Sequence, residues 1–307
     1  MERTKSIVSI VGTLLMIASF VFIGMRIALY DIDFSVLSSP LILAVLVLLA
    51  FIAGLGYFYA GIVYQAILEA LSGVPLERGL VVKVYCIANL YKYIPGSVMY
   101  AAGRNRLVFE VCGLSHTKVA LATMIEIVIF ALAGLVVSAL FAFDYFVEYM
   151  RLAGASGFVW VGVGAAVLLL TVGAFARSGA MVPILGDFSN VLAKMPKLLG
   201  AHVLILFVQT ATYPATLILM GQPLTLSLIF TVVGLYALSW LIGFLTLGAP
   251  SGLGIREAVL LMFLGGVLDE GILLSSIVIH RAMGVAGDVF VYGVALAYHK
   301  VAILRHA

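Results

Sequence analysis

The chain has 307 residues, 64% of them hydrophobic and only 10% charged, and its mean hydropathy is +1.24. An average soluble domain carries about a quarter charged residues, so a water-soluble globule is excluded. The length accommodates about eight spans of roughly 20 residues with short loops, and leaves no stretch polar enough for a soluble domain of about 100 residues.

Arg3 and Lys5 precede an apolar run from Ile7 to Gly24 with signal-peptide character, but no small-x-small cleavage site leads into a soluble domain, so the run reads as a first span over 7–29. Asp31 and Asp33 follow in a short loop. Further apolar runs predict spans at 40–66, 118–142, 156–176, 199–220, 224–248 and 272–298. Two segments resist this reading. Segment 84–103 is interrupted by Asn89, Lys92, Pro95 and Gly96. Segment 255–268 is too short for a plain span and follows a Gly/Pro/Ser-rich run from Gly248 to Gly254. Between 177 and 197, apolar Val182, Ile184, Leu185, Phe188, Val191 and Leu192 recur at helical spacing among Asp187, Lys194 and Lys197, which predicts a helix along the inner surface. Cys86 and Cys112 form no framework and have no Cys/His cluster beside them, so both read as packing residues. The expected fold class is all-α: one integral membrane domain over 1–307, a polytopic transmembrane helical bundle of about eight spans with broken or re-entrant segments near 84–103 and 248–268.

The 17 basic and 14 acidic residues nearly balance, so their placement is more informative than the net charge of +3. Arg3, Lys5, Arg78, Lys83, Arg104, Arg106, Lys118, Arg177, Lys194, Lys197, Lys300 and Arg305 share one side if 84–103 dips in and returns and 255–268 crosses as a short or tilted helix. Asp31, Asp33, Asp144, Glu148, Asp269 and Glu270 then share the other, with Arg151 almost alone among them. Both termini are expected to be cytoplasmic, in a bacterial or archaeal plasma membrane.

Ionisable side chains and broken backbone at membrane depth are costly unless buried in protein or lining a wet cavity, which makes each of them a candidate. In Asn89–Arg106, Pro95 removes a backbone donor and Gly96 permits a sharp turn. The break leaves a helix N-terminus suited to an anionic head group, with Lys92, Arg104 and Arg106 nearby in sequence. The competing reading is an interfacial loop whose cations follow the positive-inside rule. In the second break, Gly252 and Gly254 precede a helix opening with Arg256 and Glu257, whose amides suit a phosphate. Its alternative is a glycine-rich turn with an Arg256–Glu257 salt bridge, a poor one because adjacent helical residues diverge. Glu126 lies about two turns inside its span. Arg281 and Asp288 share a face of the last span with Gly284 between them, separated by about 10 Å of rise. They either pair directly or share a water, a ligand or a third residue such as Glu126. His202, Gln209 and Tyr213 recur near helical spacing and read as hydrogen-bond glue between helices.

No GxxxxGK[ST] loop, HExxH helix or GxSxG elbow occurs, so ATP-driven transport by this chain and those hydrolytic schemes lack their parts. Asp31 and Asp33 have the spacing to hold Mg²⁺ or Mn²⁺ for a lipid-sugar-dependent glycosyltransferase, though a short acidic outward loop is the commoner meaning. Nothing else calls for a metal, a cofactor or a nucleic-acid partner.

Taken together, Asn89 with Tyr93, Ile94, Pro95 and Gly96, then Gly103 and Arg104, Glu126 within a span, the Pro250–Ala258 stretch and Arg281 resemble the membrane domain of bacterial lysylphosphatidylglycerol synthases. The likeness covers nearly the whole chain, and Gly-Leu-Gly-Ile-Arg-Glu-Ala over 252–258 is its most specific part. It implies a stand-alone member of a domain family associated with flipping an aminoacylated phospholipid between leaflets. The aminoacyl-transferring cytoplasmic domain of that family has no counterpart in the nine residues after the last span, so synthase activity is not expected. The family often places Arg after the glutamate matched by Glu126, whereas Ile127 stands here. Stand-alone relatives are similar to proteins thought to act on other lipids or on lipid-linked saccharides.

The expected function is flippase-like transport, without catalysis, of a phospholipid or lipid-linked saccharide across the cytoplasmic membrane. Asn89, Lys92, Pro95, Gly96, Arg104, Gly252, Gly254, Arg256 and Glu257 are the expected substrate-binding residues at the breaks, and Glu126, Arg281 and Asp288 line the expected translocation path. The alternative is a non-catalytic membrane partner or anchor for a lipid-modifying enzyme or glycosyltransferase supplied by another chain. Gly157, Gly162 and Gly164 permit close helix packing, within the chain or in an oligomer.

Overall fold

Long apolar runs leave the backbone no partner in hydrocarbon except itself, and a helix satisfies every internal N–H and C=O within one segment. A computed structural model of the chain describes residues 35–93, 99–153, 185–246, 252 and 254–306. The described residues contain eight α-helices and no strand. They are α1 (Pro40–Ser72), α2 (Arg78–Leu90), α3 (Met99–Cys112), α4 (His116–Ala153), α5 (Leu185–Leu219), α6 (Leu226–Leu245), α7 (Ile255–Leu264) and α8 (Glu270–His306). Five of these, α1, α4, α5, α6 and α8, contain stretches long and apolar enough to cross a bilayer. The chain is a multi-pass membrane protein. The expected spans at 7–29 and 156–176, together with Asp31, Asp33, Pro95, Gly96, Gly157, Gly162 and Gly164, lie outside the described residues.

Local chemistry ends each helix where the bundle needs a turn. Gly73 takes the left-handed conformation, φ 71°, and its N–H closes on Glu69 O to stop α1. The Glu69 carboxylate then accepts from Leu76 N at 2.9 Å and from Gln65 Nε2 at 2.8 Å, tying the α1–α2 turn together. Gly113 ends α3 in the same left-handed way, at φ 66°. Thr225 caps α6 by accepting from Leu228 N, and Asp269 caps α8 by accepting from Ile272 N at 2.9 Å.

Contacts between ends fix the directions of the helices. Lys118 Nζ, at the start of α4, reaches Ser72 O at the end of α1, 3.5 Å away. The stretch between them, which holds the two short helices α2 and α3, therefore begins and ends at the same end of the bundle. At the other end Asp269 N donates to Gln222 Oε1 at 3.2 Å, joining the start of α8 to the α5–α6 turn. With α4 and α6 antiparallel, Gly234 against Ala142 and Gly134 against Leu241, helices α1, α6 and α8 run one way and α4 and α5 the other.

The first break extends further on both sides than the sequence predicts. Segment 84–103 is embedded in two helices of 13 and 14 residues, about 20 Å each, and the 3-10 turn Tyr91–Tyr93 follows the first. Neither matches a hydrocarbon core about 30 Å thick. Helix α7, with 10 residues, reaches about 15 Å.

The expected surface helix over 177–197 is corrected in its described part. From Leu185 the chain already belongs to α5, which continues to Leu219 with Pro196 and Pro214 inside it. The reason is a stripe at seven-residue spacing: Val191, Leu198 and Ile205 are all buried, in one cluster with Tyr64 of α1 and Ile125 of α4. Leu192, beside the stripe, is exposed.

Candidate functional site

The site begins where α2 runs out. Asn89, in the last turn of α2, is buried and its Nδ2 donates to Asp288 Oδ1 of α8 at 2.9 Å. Three residues later Lys92 Nζ lies 2.7 Å from Asp288 Oδ2 and 4.2 Å from the centre of the Tyr57 ring of α1. Both oxygens of a carboxylate that is 2% exposed are thus met by the end of the first break. Asp288 can sit this deep because Gly287 beside it touches the α1 backbone.

The second break brings in the other charges. Gly252 and Gly254 both have positive φ, 66° and 83°, a region that favours glycine. Gly252 also lies against Gly243 of α6, where a β-carbon would come 3.0 Å from the Gly243 backbone and 2.9 Å from Arg256 Cδ. This close approach lays the Arg256 side chain along α6, its guanidinium carbon 5.9 Å from the centre of the Tyr236 ring. Glu257 does not pair with its neighbour Arg256; its Oε1 stands 3.8 Å from Arg281 Nη1 of α8. Its Oε2 is buried with no hydrogen-bond partner among the described residues.

Lys92, Arg256, Glu257, Arg281 and Asp288 all line one cavity of about 90 Å³ between α1, α5, α6, α7 and α8. Tyr57, Tyr236 and Trp240 give it aromatic walls, and Gln209, whose Nε2 donates to Ala53 O at 3.0 Å, gives it a polar one. No family model and no curated protein matches the chain. The cavity gathers three cations and two carboxylates within a bundle of mainly apolar helices.

Arg281 and Asp288, the pair on one face of α8, serve different partners: Arg281 faces α7 and Asp288 the end of α2. Glu126 is not their third member. It pairs with Arg104, which is completely buried and held between two tyrosine rings, 4.2 Å from Tyr85 and 4.8 Å from Tyr64. Glu126 and Arg104 lie outside the cavity lining, so the first break sends Lys92 to the cavity and Arg104 into the packing between α1, α2 and α4. Glu126 is met by an arginine of another helix, Arg104 of α3. Arg106 points outward and pairs with Glu110 at 2.7 Å.

Of the expected glue residues, Gln209 and Tyr213 join helices, the latter through Ser276 Oγ at 3.1 Å, while His202 bonds Leu198 O of its own helix. The sequence reading missed His280 of the cavity wall. Its two ring nitrogens meet Tyr236 Oη at 3.0 Å and Thr212 Oγ1 at 2.9 Å. A histidine adjacent to Arg281 in an apolar span was the available signal. Cys86 packs against Val82 and Val291, as a small apolar residue does. Among the described residues no group of three or more His, Cys, Asp or Glu side chains is placed to hold a metal ion.

Proposed function

We propose that the chain is a flippase-like transporter that moves a lipid with a phosphate-bearing head, a phospholipid or a lipid-linked saccharide, across the cytoplasmic membrane. The observation that carries this reading is the charged, aromatic-walled cavity formed where two broken segments meet α8. A phosphate head in hydrocarbon loses its hydration and is strongly disfavoured, whereas Lys92, Arg256 and Arg281 offer replacement partners while the tails remain in lipid. In this reading the α2–α3 pair is re-entrant, entering from the cytoplasmic face and returning to it. Arg78, Lys83, Lys118, Lys194 and Lys197 near that end of the bundle, against Asp144, Glu148, Asp269 and Glu270 near the other, support the orientation with cytoplasmic termini and about eight crossings. The chain is then a relative of the membrane domain of lysylphosphatidylglycerol synthases. Arg104 and Glu126 act as a positioning pair that holds the α3 side of the first break.

The test is reconstitution of the purified protein in liposomes with labelled phosphatidylglycerol and a labelled polyprenyl-phosphate sugar. Movement between leaflets is expected with the wild type and is expected to fall about tenfold in Arg256→Ala and Arg281→Ala, as loss of a buried charged partner implies. Folded wild-type protein that moves neither lipid overturns the proposal.

A further inference from the structure

The charge count of the cavity narrows the head group, provided that the cavity is the transport site. Lys92 is matched by Asp288, and Arg281 by Glu257. Arg256 makes no salt bridge among the described residues; its contact there is the Tyr236 ring. His280, buried with a hydroxyl at each ring nitrogen, one able to donate and the other to accept, enters as neutral. Among the described residues the lining thus carries one positive charge in excess, at Arg256. A charge left uncompensated in a low-dielectric site is costly, so a singly negative group fits this balance and a doubly negative one does not.

A second, independent feature is the Glu257 Oε2 atom, a buried acceptor with no donor among the described residues, at the same cavity as Arg256. A buried carboxylate oxygen without a donor is unfavourable, and a hydroxyl or N–H on the ligand would meet it. The aromatic walls Tyr57, Tyr236 and Trp240 suit the carbon face of a polyol or sugar.

We infer that the cavity takes a monoanionic phosphodiester whose head carries a hydrogen-bond donor, with the phosphate on Arg256 and the donor on Glu257. Phosphatidylglycerol and a polyprenyl-monophosphate hexose share this chemistry. A pyrophosphate-linked sugar carries one negative charge too many, and phosphatidylcholine offers neither net charge nor donor.

Two readouts on the full chain test this. In the liposome assay, phosphatidylglycerol, polyprenyl-monophosphate hexose, polyprenyl-pyrophosphate hexose and phosphatidylcholine are compared. In detergent, thermal stabilisation is measured with short-chain phosphatidylglycerol and short-chain phosphatidylcholine. At least one phosphodiester with a donor is expected to move about tenfold faster than the pyrophosphate lipid and phosphatidylcholine, and which one moves identifies the source. Glu257→Gln, which raises the positive excess of the lining from one to two, is expected to speed the pyrophosphate lipid relative to the phosphodiesters. Equal movement of all four, or fastest movement of the pyrophosphate lipid, overturns the inference and leaves transport standing. Selective stabilisation by short-chain phosphatidylglycerol without movement of any lipid retains the binding chemistry and overturns transport. Equal stabilisation by both short-chain lipids together with no movement of any of the four overturns the inference and transport alike.

Discussion

Gly54 of α1 and Gly287 of α8 meet backbone to backbone. A β-carbon on Gly54 would lie 2.3 Å from Gly287 O, and one on Gly287 would lie 2.4 Å from Ala50 O. Small residues are what let helices approach this closely in lipid. Each single change, Gly54→Ala or Gly287→Ala, is expected to destabilise the protein by about 1–3 kcal/mol, because backbone cannot move aside as a flexible side chain can. The two together should cost less than the sum, since the first already parts the helices. Unfolding in mixed detergent micelles measures all three; additive losses would show that the glycines do not share one contact.

Arg104 and Glu126, 0% and 1% exposed, form a buried ion pair. Removing one partner, as in Arg104→Met or Glu126→Leu, strands a charge and is expected to cost about 3–5 kcal/mol, whereas the double variant should be far closer to wild type. A double-mutant cycle on unfolding free energy checks this. A double variant as unstable as the sum of the singles would mean that the pair is not what holds those residues in place.

Tyr236 and Thr212 occupy the two nitrogens of His280. Tyr236→Phe leaves a buried nitrogen without its hydroxyl and is expected to lower stability by about 1–3 kcal/mol. Because the phenyl ring remains beside Arg256, lipid movement should survive better than in Arg256→Ala. Thermal melting and the liposome assay on the same preparations separate the two effects.

Gly243 supports Arg256 from beneath: a β-carbon there would lie 2.3 Å from Arg256 Cγ. Gly243→Ala is expected to displace that side chain and reduce lipid movement about tenfold, as misplacement of a binding group does. The gain in helix propensity, about 1 kcal/mol, offsets the crowding, so the melting temperature should change little. A large fall in melting temperature with transport intact would contradict this account of the glycine.

Much of this molecule follows from one-dimensional pattern. Apolar runs located α1, α4, α6 and α8 because a spanning helix is a local property, set by length and by the absence of charge. The interruption at Asn89 and Lys92 and the glycines before Arg256 marked both breaks, since polar groups at depth stand out against hydrocarbon. Partner choice was beyond reach. Arg104 lies 12 residues from Lys92 yet faces a different helix, and Glu257 turns from Arg256 to Arg281; such pairings depend on the rotation of helices about their axes. The start of α5 was misplaced for a related reason. Asp187, Lys194 and Lys197 suggested a surface, but Val191 and Leu198 face inward on the same turns.

Both broken segments are anchored to one face of α8. The tip of the first holds α8 at Asp288, and the second holds it at Arg281, seven residues and about 10 Å away along the same face. Rotation or axial sliding of α8 would therefore loosen Lys92 and Glu257 in one step. The two halves of the cavity would exchange their partners together, as the two jaws of a clamp share a single screw, and the kinetics of opening would show one relaxation where two independent gates would give two.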